Sequence, residues 1–299
     1  MQHPKWLLFL GLVACSSGAG VGSVGDAAVD HPAQPDATVP VDASVDGAFV
    51  DVVDASPLDA SSDSAVDAGP MPTVPGLALW LEASMGVTKS NTNRVSGWAD
   101  QSGAGNHAAQ SIPMRQPSWS SSGLNGRPAL RFSTSGTEIS VPDAKSLQFG
   151  TGDFTLELVA RFDNPPSAPC FFASKVDGDG IGIVFVANEP IDEAHGLGVF
   201  LDGTTFLAGT IAYGDDIPRL YGVRRVGSTL ELRVQGVAVA TLPGATVDVS
   251  ALGGALTFGL LNDVGGLDGS VAEIVAVKGP ITAPDLAKLE GHLGAKYGL

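Results

Sequence analysis

The chain has 299 residues, with 32 Asp+Glu against 16 Lys+Arg, a formal net charge of −16, 39 Gly, 20 Pro and two Cys. That charge, without any Lys/Arg cluster, excludes a nucleic-acid binder, and two cysteines exclude a disulfide-stapled scaffold or a four-cysteine zinc site. Charged residues make up only 16% and Gly and Pro are abundant, which argues against a coiled coil or long-helix protein.

In chain order, the first element is a signal. Lys5 supplies a positive start, and residues 6–13 form an apolar run far short of the ~20 residues that span a bilayer. It ends in Leu12-Val13-Ala14-Cys15, which resembles the lipobox of bacterial lipoproteins. The resemblance implies cleavage after residue 14, a diacylglyceryl group on Cys15, and a membrane partner held through acyl chains, each buried methylene contributing about 0.8 kcal/mol. Ser16, rather than Asp, follows the cysteine, which resembles sorting to the outer membrane or cell surface of a Gram-negative bacterium.

Residues 16–75 carry ten Asp, no Glu, Lys or Arg, and a single aromatic, Phe49. Such a segment buries too little apolar surface to offset the entropy of ordering it, and its charges repel, so it reads as a disordered stalk of about 40–45 Å root-mean-square span. The Asp spacing is irregular, unlike the fixed nine-residue period of calcium-binding repeats. The expected organisation is a signal peptide at 1–14, a lipidated Cys15 and stalk at 15–75, and one folded domain at 76–299.

The folded part holds 22 acidic and 15 basic residues, so it is far less charged than the chain average suggests. Hydrophobic alternation of period two predicts strands at 77–82, 154–162, 230–234 and 237–242. Further strands are predicted at 129–132, 181–186, 196–201, 205–212, 220–226, 256–261 and 270–277. Gly227-Ser228 and Gly236 read as tight hairpin links. One helix comes last: Thr282 caps it, Asp285 completes a capping-box pattern, Leu286, Leu289, Leu293 and Tyr297 share a face, and Gly298 ends it. The fold class is all-β, an antiparallel two-sheet jelly-roll sandwich with a short C-terminal helix.

Three stretches together resemble the concanavalin A-like, laminin-G-like jelly-roll domains of bacterial secreted proteins. They are Leu79-Trp80-Leu81-Glu82; Val95-Ser96-Gly97-Trp98-Ala99-Asp100-Gln101-Ser102-Gly103-Ala104-Gly105-Asn106 with Asn125-Gly126-Arg127-Pro128; and Ala272-Glu273-Ile274 with the terminal Lys296-Tyr297-Gly298-Leu299. Lectins, glycanases, adhesins and spacers share this fold, so the resemblance implies architecture more than activity. Trp80 and Trp98, in alternating patterns, read as core.

A glycanase on this fold would carry Glu-x-Asp-x-x-Glu on one strand, and no such triplet occurs. The nearest acidic cluster, Glu189, Asp192 and Glu193, has other spacing. Gly-x-Ser-x-Gly and His-Glu-x-x-His are absent, and the histidines are scattered. Cys170, within Pro169-Cys170-Phe171-Phe172, reads as a buried strand cysteine, not a nucleophile. The domain is therefore expected to be no enzyme. The laminin-G resemblance implies calcium as a candidate ligand, and Asp177-Gly178-Asp179-Gly180 is the best single loop, with Asp215-Asp216 and Asn262-Asp263 as others. For a glycan or surface-protein ligand, the candidate residues are the aromatics Trp119, in a Ser-rich loop, and Tyr213, with Asp100 and Asn106 as polar partners. The expected function is lipid-anchored display of a non-catalytic binding domain; the alternatives are an envelope spacer without a specific ligand and a divergent glycosidase using Glu189, Asp192 or Glu193.

Overall fold

The computed structural model describes residues 69–163, 170–191, 194–202, 205–209, 216–261 and 265–299. Cys15 and the stalk from 16 to 68 lie outside the described residues. The strands in chain order are β1 (Leu77–Glu82), β2 (Val87–Lys89), β3 (Val95–Trp98), β4 (Ala108–Ala109), β5 (Ser118–Leu124), β6 (Arg127–Phe132), β7 (Ile139–Val141), β8 (Phe154–Phe162) and β9 (Cys170–Val176). They continue with β10 (Gly182–Ile191), β11 (Ala194–Phe200), β12 (Phe206–Gly209), β13 (Arg219–Val226), β14 (Thr229–Val234), β15 (Val237–Leu242), β16 (Leu256–Phe258) and β17 (Gly269–Lys278), and the helix α1 (Ala283–Tyr297) closes the chain.

These strands form two antiparallel sheets. The eight-stranded sheet runs β15-β14-β13-β8-β17-β6-β5, with β1 on the same edge of β17 as β6, further along the strand. The nine-stranded sheet runs β12-β11-β10-β9-β16-β7-β4-β3-β2. The expected all-β sandwich is what the chain forms.

Period-two alternation builds the core between the sheets. On β8, Phe154, Leu156, Leu158, Ala160 and Phe162 enter the inter-sheet core. Phe162, Phe172 and Tyr221 pack at its centre, with ring centroids 4.3 Å apart for Phe162–Phe172 and 5.0 Å for Phe172–Tyr221. Each such buried side chain contributes roughly 1.5–3 kcal/mol by leaving water. The β14–β15 link is a two-residue turn, Gln235-Gly236, with φ of +52° and +74°. Two consecutive positive φ values match the right-handed strand twist, and the second falls on a glycine.

The other face of the eight-stranded sheet departs from the simple alternation, in which it was expected to be mixed and outward-facing. Thr155 and Glu157 are each only 1% exposed there. The reason is α1. Thr282 accepts the Asp285 N–H and the Asp285 carboxylate accepts the Thr282 hydroxyl at 2.7 Å, so the helix starts where its capping box dictates. Leu286, Leu289, Leu293 and Tyr297 then pack against Val159, Leu220, Val275 and Val277 on that face. Val74 is buried in the same cluster and Met71 packs on it, so the packed chain begins ahead of the Pro75-Gly76 boundary.

Candidate binding surface

The alternation in β1 sends Leu79 and Leu81 into the core and leaves Trp80 and Glu82 on the helix-bearing face. Glu82 lies directly across from Glu273 of β17. The Trp80 indole N–H donates to Glu273 Oε1 at 2.7 Å, while the Tyr297 hydroxyl and the Lys296 ammonium donate to Glu273 Oε2 at 2.9 and 2.7 Å. Lys296 also reaches Glu82 Oε2 at 2.9 Å, and the Ser84 hydroxyl donates to Glu82 Oε1. Burial, and then the charge of Glu273, push the Tyr297 phenol well above its usual range, which keeps it a donor. This network explains why Ala272-Glu273-Ile274 and the terminal Lys296-Tyr297 occur in one sequence: the helix end is bolted to the closing strand through them.

Trp80 also separates two adjoining surface concavities. One, of about 430 Å³, is lined by residues 71–74 with Gly76, Leu77, Trp80, Gln101 and Ser102. The other, of about 240 Å³, is lined by residues 69–71 with Trp80, Glu82, Met85, Arg127, His292 and Lys296. Amide, hydroxyl and charged side chains flank the half-buried indole, whose N–H is already taken by Glu273. Trp80, expected in the core, is half-buried: it packs against the hydrophobic cluster under α1 and not between the sheets, because the alternation of β1 puts Trp80 and Glu82 opposite Leu79 and Leu81.

Asp100 and Asn106 come together behind Gln101 and Ser102, and neither lines the groove. Asp100 Oδ1 accepts the N–H groups of Trp80 and Ser102, each at 2.9 Å, and Oδ2 accepts the Asn106 N–H at 2.9 Å and the Ser102 hydroxyl at 2.8 Å. The Asn106 amide donates to the Ala78 carbonyl at 2.6 Å and to Ser146 at 2.8 Å. Both side chains are buried. Their polar atoms hold the 100–106 loop against β1 and fix the backbone of Trp80, so their geometry is that of supports for the groove.

Trp119, expected in a loop, stands on β5 and is half-buried. Its indole N–H donates to the Ala83 carbonyl at 2.8 Å, and Lys89 Nζ lies 3.3 Å from the ring centroid, so a cation covers the ring. Tyr213 lies outside the described residues, as do Asp192, Glu193, Asp215, Asn262, Asp263 and the side chain of Glu189. Trp98 is fully buried, and its N–H donates to the Glu82 carbonyl at 2.8 Å. Cys170 is buried at the start of β9, and burial, then the nearby Asp268, push its thiol up to about 12, which leaves it inert as a nucleophile.

Asp177 and Asp179 sit in the β9–β10 hairpin. Asp177 Oδ1 accepts the N–H groups of Asp179 at 3.0 Å and Ile181 at 2.9 Å, closing the turn on itself. Calcium takes six to eight oxygens. Among the described residues no group of three or more His, Cys, Asp or Glu is arranged to hold a metal ion, so the structure brings no second acidic loop to this hairpin among the described residues.

Two antiparallel sheets packed face to face, with a C-terminal helix bolted to one of them, define the class: a jelly-roll β-sandwich. No family model matches the chain, and no curated protein is significantly similar to it in sequence. Solved structures share the fold at low identity. The binding domain of Paraclostridial Mosquitocidal Protein 1 superposes with a TM-score of 0.55 at 10% identity, over 72% of this chain and 52% of that one. Domain 4 of AbnA, an extracellular GH43 arabinanase of Geobacillus stearothermophilus solved with arabinotriose, gives 0.53 at 10% identity over 73% of this chain and 100% of that one. An arabinofuranosidase complexed with arabinofuranosyl-alpha-1,2-xylobiose gives 0.53 at 13% identity over 75% and 60%. At these identities the likeness is one of architecture. The chain spans little more than half of the first and third of these structures.

Proposed function

We propose that this is a lipid-anchored protein of the outer membrane or cell surface of a Gram-negative bacterium that holds a non-catalytic jelly-roll domain on an acidic stalk and binds a glycan or a surface protein. The observation that carries the binding reading is the Trp80 groove: an aromatic side chain between Gln101 and Ser102 on one side and Glu82, Arg127, His292 and Lys296 on the other. Domain 4 of the arabinanase, solved with arabinotriose, supports a sugar as the first class of ligand to test.

A hydrolytic reading of the same groove is weaker. Glu82 and Glu273 are paired carboxylates, but each of their four oxygens already accepts a hydrogen bond from Ser84, Trp80, Tyr297 or Lys296. A general acid or base needs an oxygen free to reach the reacting atom. The anchor rests on the lipobox at Cys15. Expressed in a Gram-negative host, wild type is expected in the membrane fraction and Cys15→Ser in the soluble fraction; equal membrane recovery of both contradicts the anchor. The ligand is sought with the full-length protein on glycan arrays and in pull-downs from envelope extracts, with and without calcium. Selective retention of a glycan or protein class supports the binding reading, and silence throughout supports a spacer.

A further inference from the structure

Segment 243–255 leaves β15 at the edge of the eight-stranded sheet and enters β16 inside the nine-stranded one. It crosses between the sheets without a ladder partner, so its inward carbonyls need donors from elsewhere. Two buried cations, one from each sheet, supply them. Arg225 of β13 is fully buried and donates to the carbonyls of Gly152 at 2.8 Å, Val247 at 2.6 Å and Gly150 at 2.5 Å. Lys175 of β9 is also fully buried. Its Nζ lies 2.8 Å from Asp143 Oδ1, 3.0 Å from the Ser250 carbonyl, and 2.9 Å from each of the Ala251 and Gly254 carbonyls.

Four oxygens around a nitrogen with three protons is the coordination of a bound cation, not of a simple ion pair. The chain bends to make it. Ala251 adopts φ of +46°, a region costly for a residue with a Cβ, and so turns its carbonyl inward. Asp143 is fixed from behind, its Oδ2 accepting the Gly253 N–H at 2.8 Å and the Gln148 amide at 2.9 Å. Burial acts to raise the Asp143 carboxyl, but the hydrogen bonds from Lys175, Gly253 and Gln148 outweigh it and hold it below the usual range.

We propose that Asp143 and the carbonyls of Ser250, Ala251 and Gly254 form a cation-binding cage, filled by the ammonium of Lys175, which opens to a small primary ammonium from solution once that side chain is removed. The ligand class follows from the cage. Four oxygens fall short of the six to eight that calcium takes, the single carboxylate matches a single positive charge, and the buried path that the methylenes of Lys175 fill has the length of a short alkyl tail. The inference is independent of the Trp80 groove.

Lys175→Ala deletes the equivalent of n-propylammonium. In the full-length protein this variant is expected to melt below wild type. Addition of n-propylammonium chloride is expected to raise its melting temperature saturably, by about 3 °C or more. Tetramethylammonium chloride at equal concentration, too bulky for the cage, is expected not to, and wild type is expected to respond to neither. An equal response to both salts, or none to n-propylammonium by the folded variant, overturns the proposal. Should Lys175→Ala fail to fold, Lys175→Met keeps the stem and lacks the ammonium. The Gly253 and Gly254 amides are then expected to lose hydrogen-exchange protection while β8 retains its own; unchanged protection at Gly253 and Gly254 overturns the proposal.

Discussion

Glu157 shows how far a single residue can depart from what its strand pattern suggests. It alternates with the core residues of β8 and so reads as a solvent-facing charge, yet α1 covers it. Neither of its carboxylate oxygens is hydrogen-bonded by the protein, and Gly222 opposite leaves room for it: a Cβ there would sit 2.6 Å from both oxygens. Burial first, then the charge of Glu290, push the Glu157 carboxyl well above its ordinary 4.5, against the opposing pull of Arg233 and Arg224. Because the folded value is raised, the contribution to stability is full below the ordinary value and is lost as pH rises toward the folded one, at about 1.4 kcal/mol per pH unit in that window. Glu157→Gln, neutral throughout, is expected to gain on wild type progressively as pH rises above ~5. Melting curves from pH 4 to 9 check this, and parallel profiles for the two proteins would contradict it. Gly222→Ala is expected to destabilise, since the added methyl group meets the Glu157 carboxylate; denaturant melts measure it.

At the scale of elements, those with a clear period or end signal were legible and most of those without one were not. The 77–82, 154–162 and 237–242 strands stand where alternation puts them, and α1 begins and ends on its sequence signals. Strands β2, β4 and β7 have only two or three residues, too few to display a period. Strand β5, rich in Ser and Gly, lacks the β-branched and aromatic run that marks a strand, so Trp119 was placed in a loop. What covers each face was also hidden, because alternation separates two faces without saying which meets a helix. The Trp80 groove and the Lys175 cage were harder still: their parts come from distant segments, and backbone carbonyls carry no sequence signature. For α1 itself, Thr282→Ala is expected to cost about 1 kcal/mol by removing the cap. Tyr297→Phe is expected to cost about 1–3 kcal/mol by removing a buried donor to Glu273. Denaturant unfolding monitored by circular dichroism measures both: no change in Thr282→Ala would contradict the cap, and no change in Tyr297→Phe would contradict the bolt between helix end and closing strand.

For the molecule as a whole, the net charge of −16 describes two unlike parts. Ten aspartates belong to residues 16–75, where no cation balances them, while the segment from 76 onward holds 22 acidic and 15 basic residues. Inside that segment the basic residues are worked into the architecture: Lys175 and Arg225 hold the crossover, Lys296 joins Glu82 to Glu273, and Arg233 pairs with Glu290 at 2.7 Å. The groove that Trp80 divides is the surface feature proposed for recognition. The central claim is that this groove binds the ligand, and it is tested most directly by calorimetric titration of the ligand found by array or pull-down onto wild type, Trp80→Ala and Tyr297→Phe. Tyr297 belongs to the same hydrogen-bond network but does not line the groove. Affinity is expected to fall by about tenfold or more, roughly 1.4 kcal/mol, for Trp80→Ala and to stay within about twofold of wild type for Tyr297→Phe. Unchanged affinity in a folded Trp80→Ala, or an equal loss in both variants, would contradict the claim.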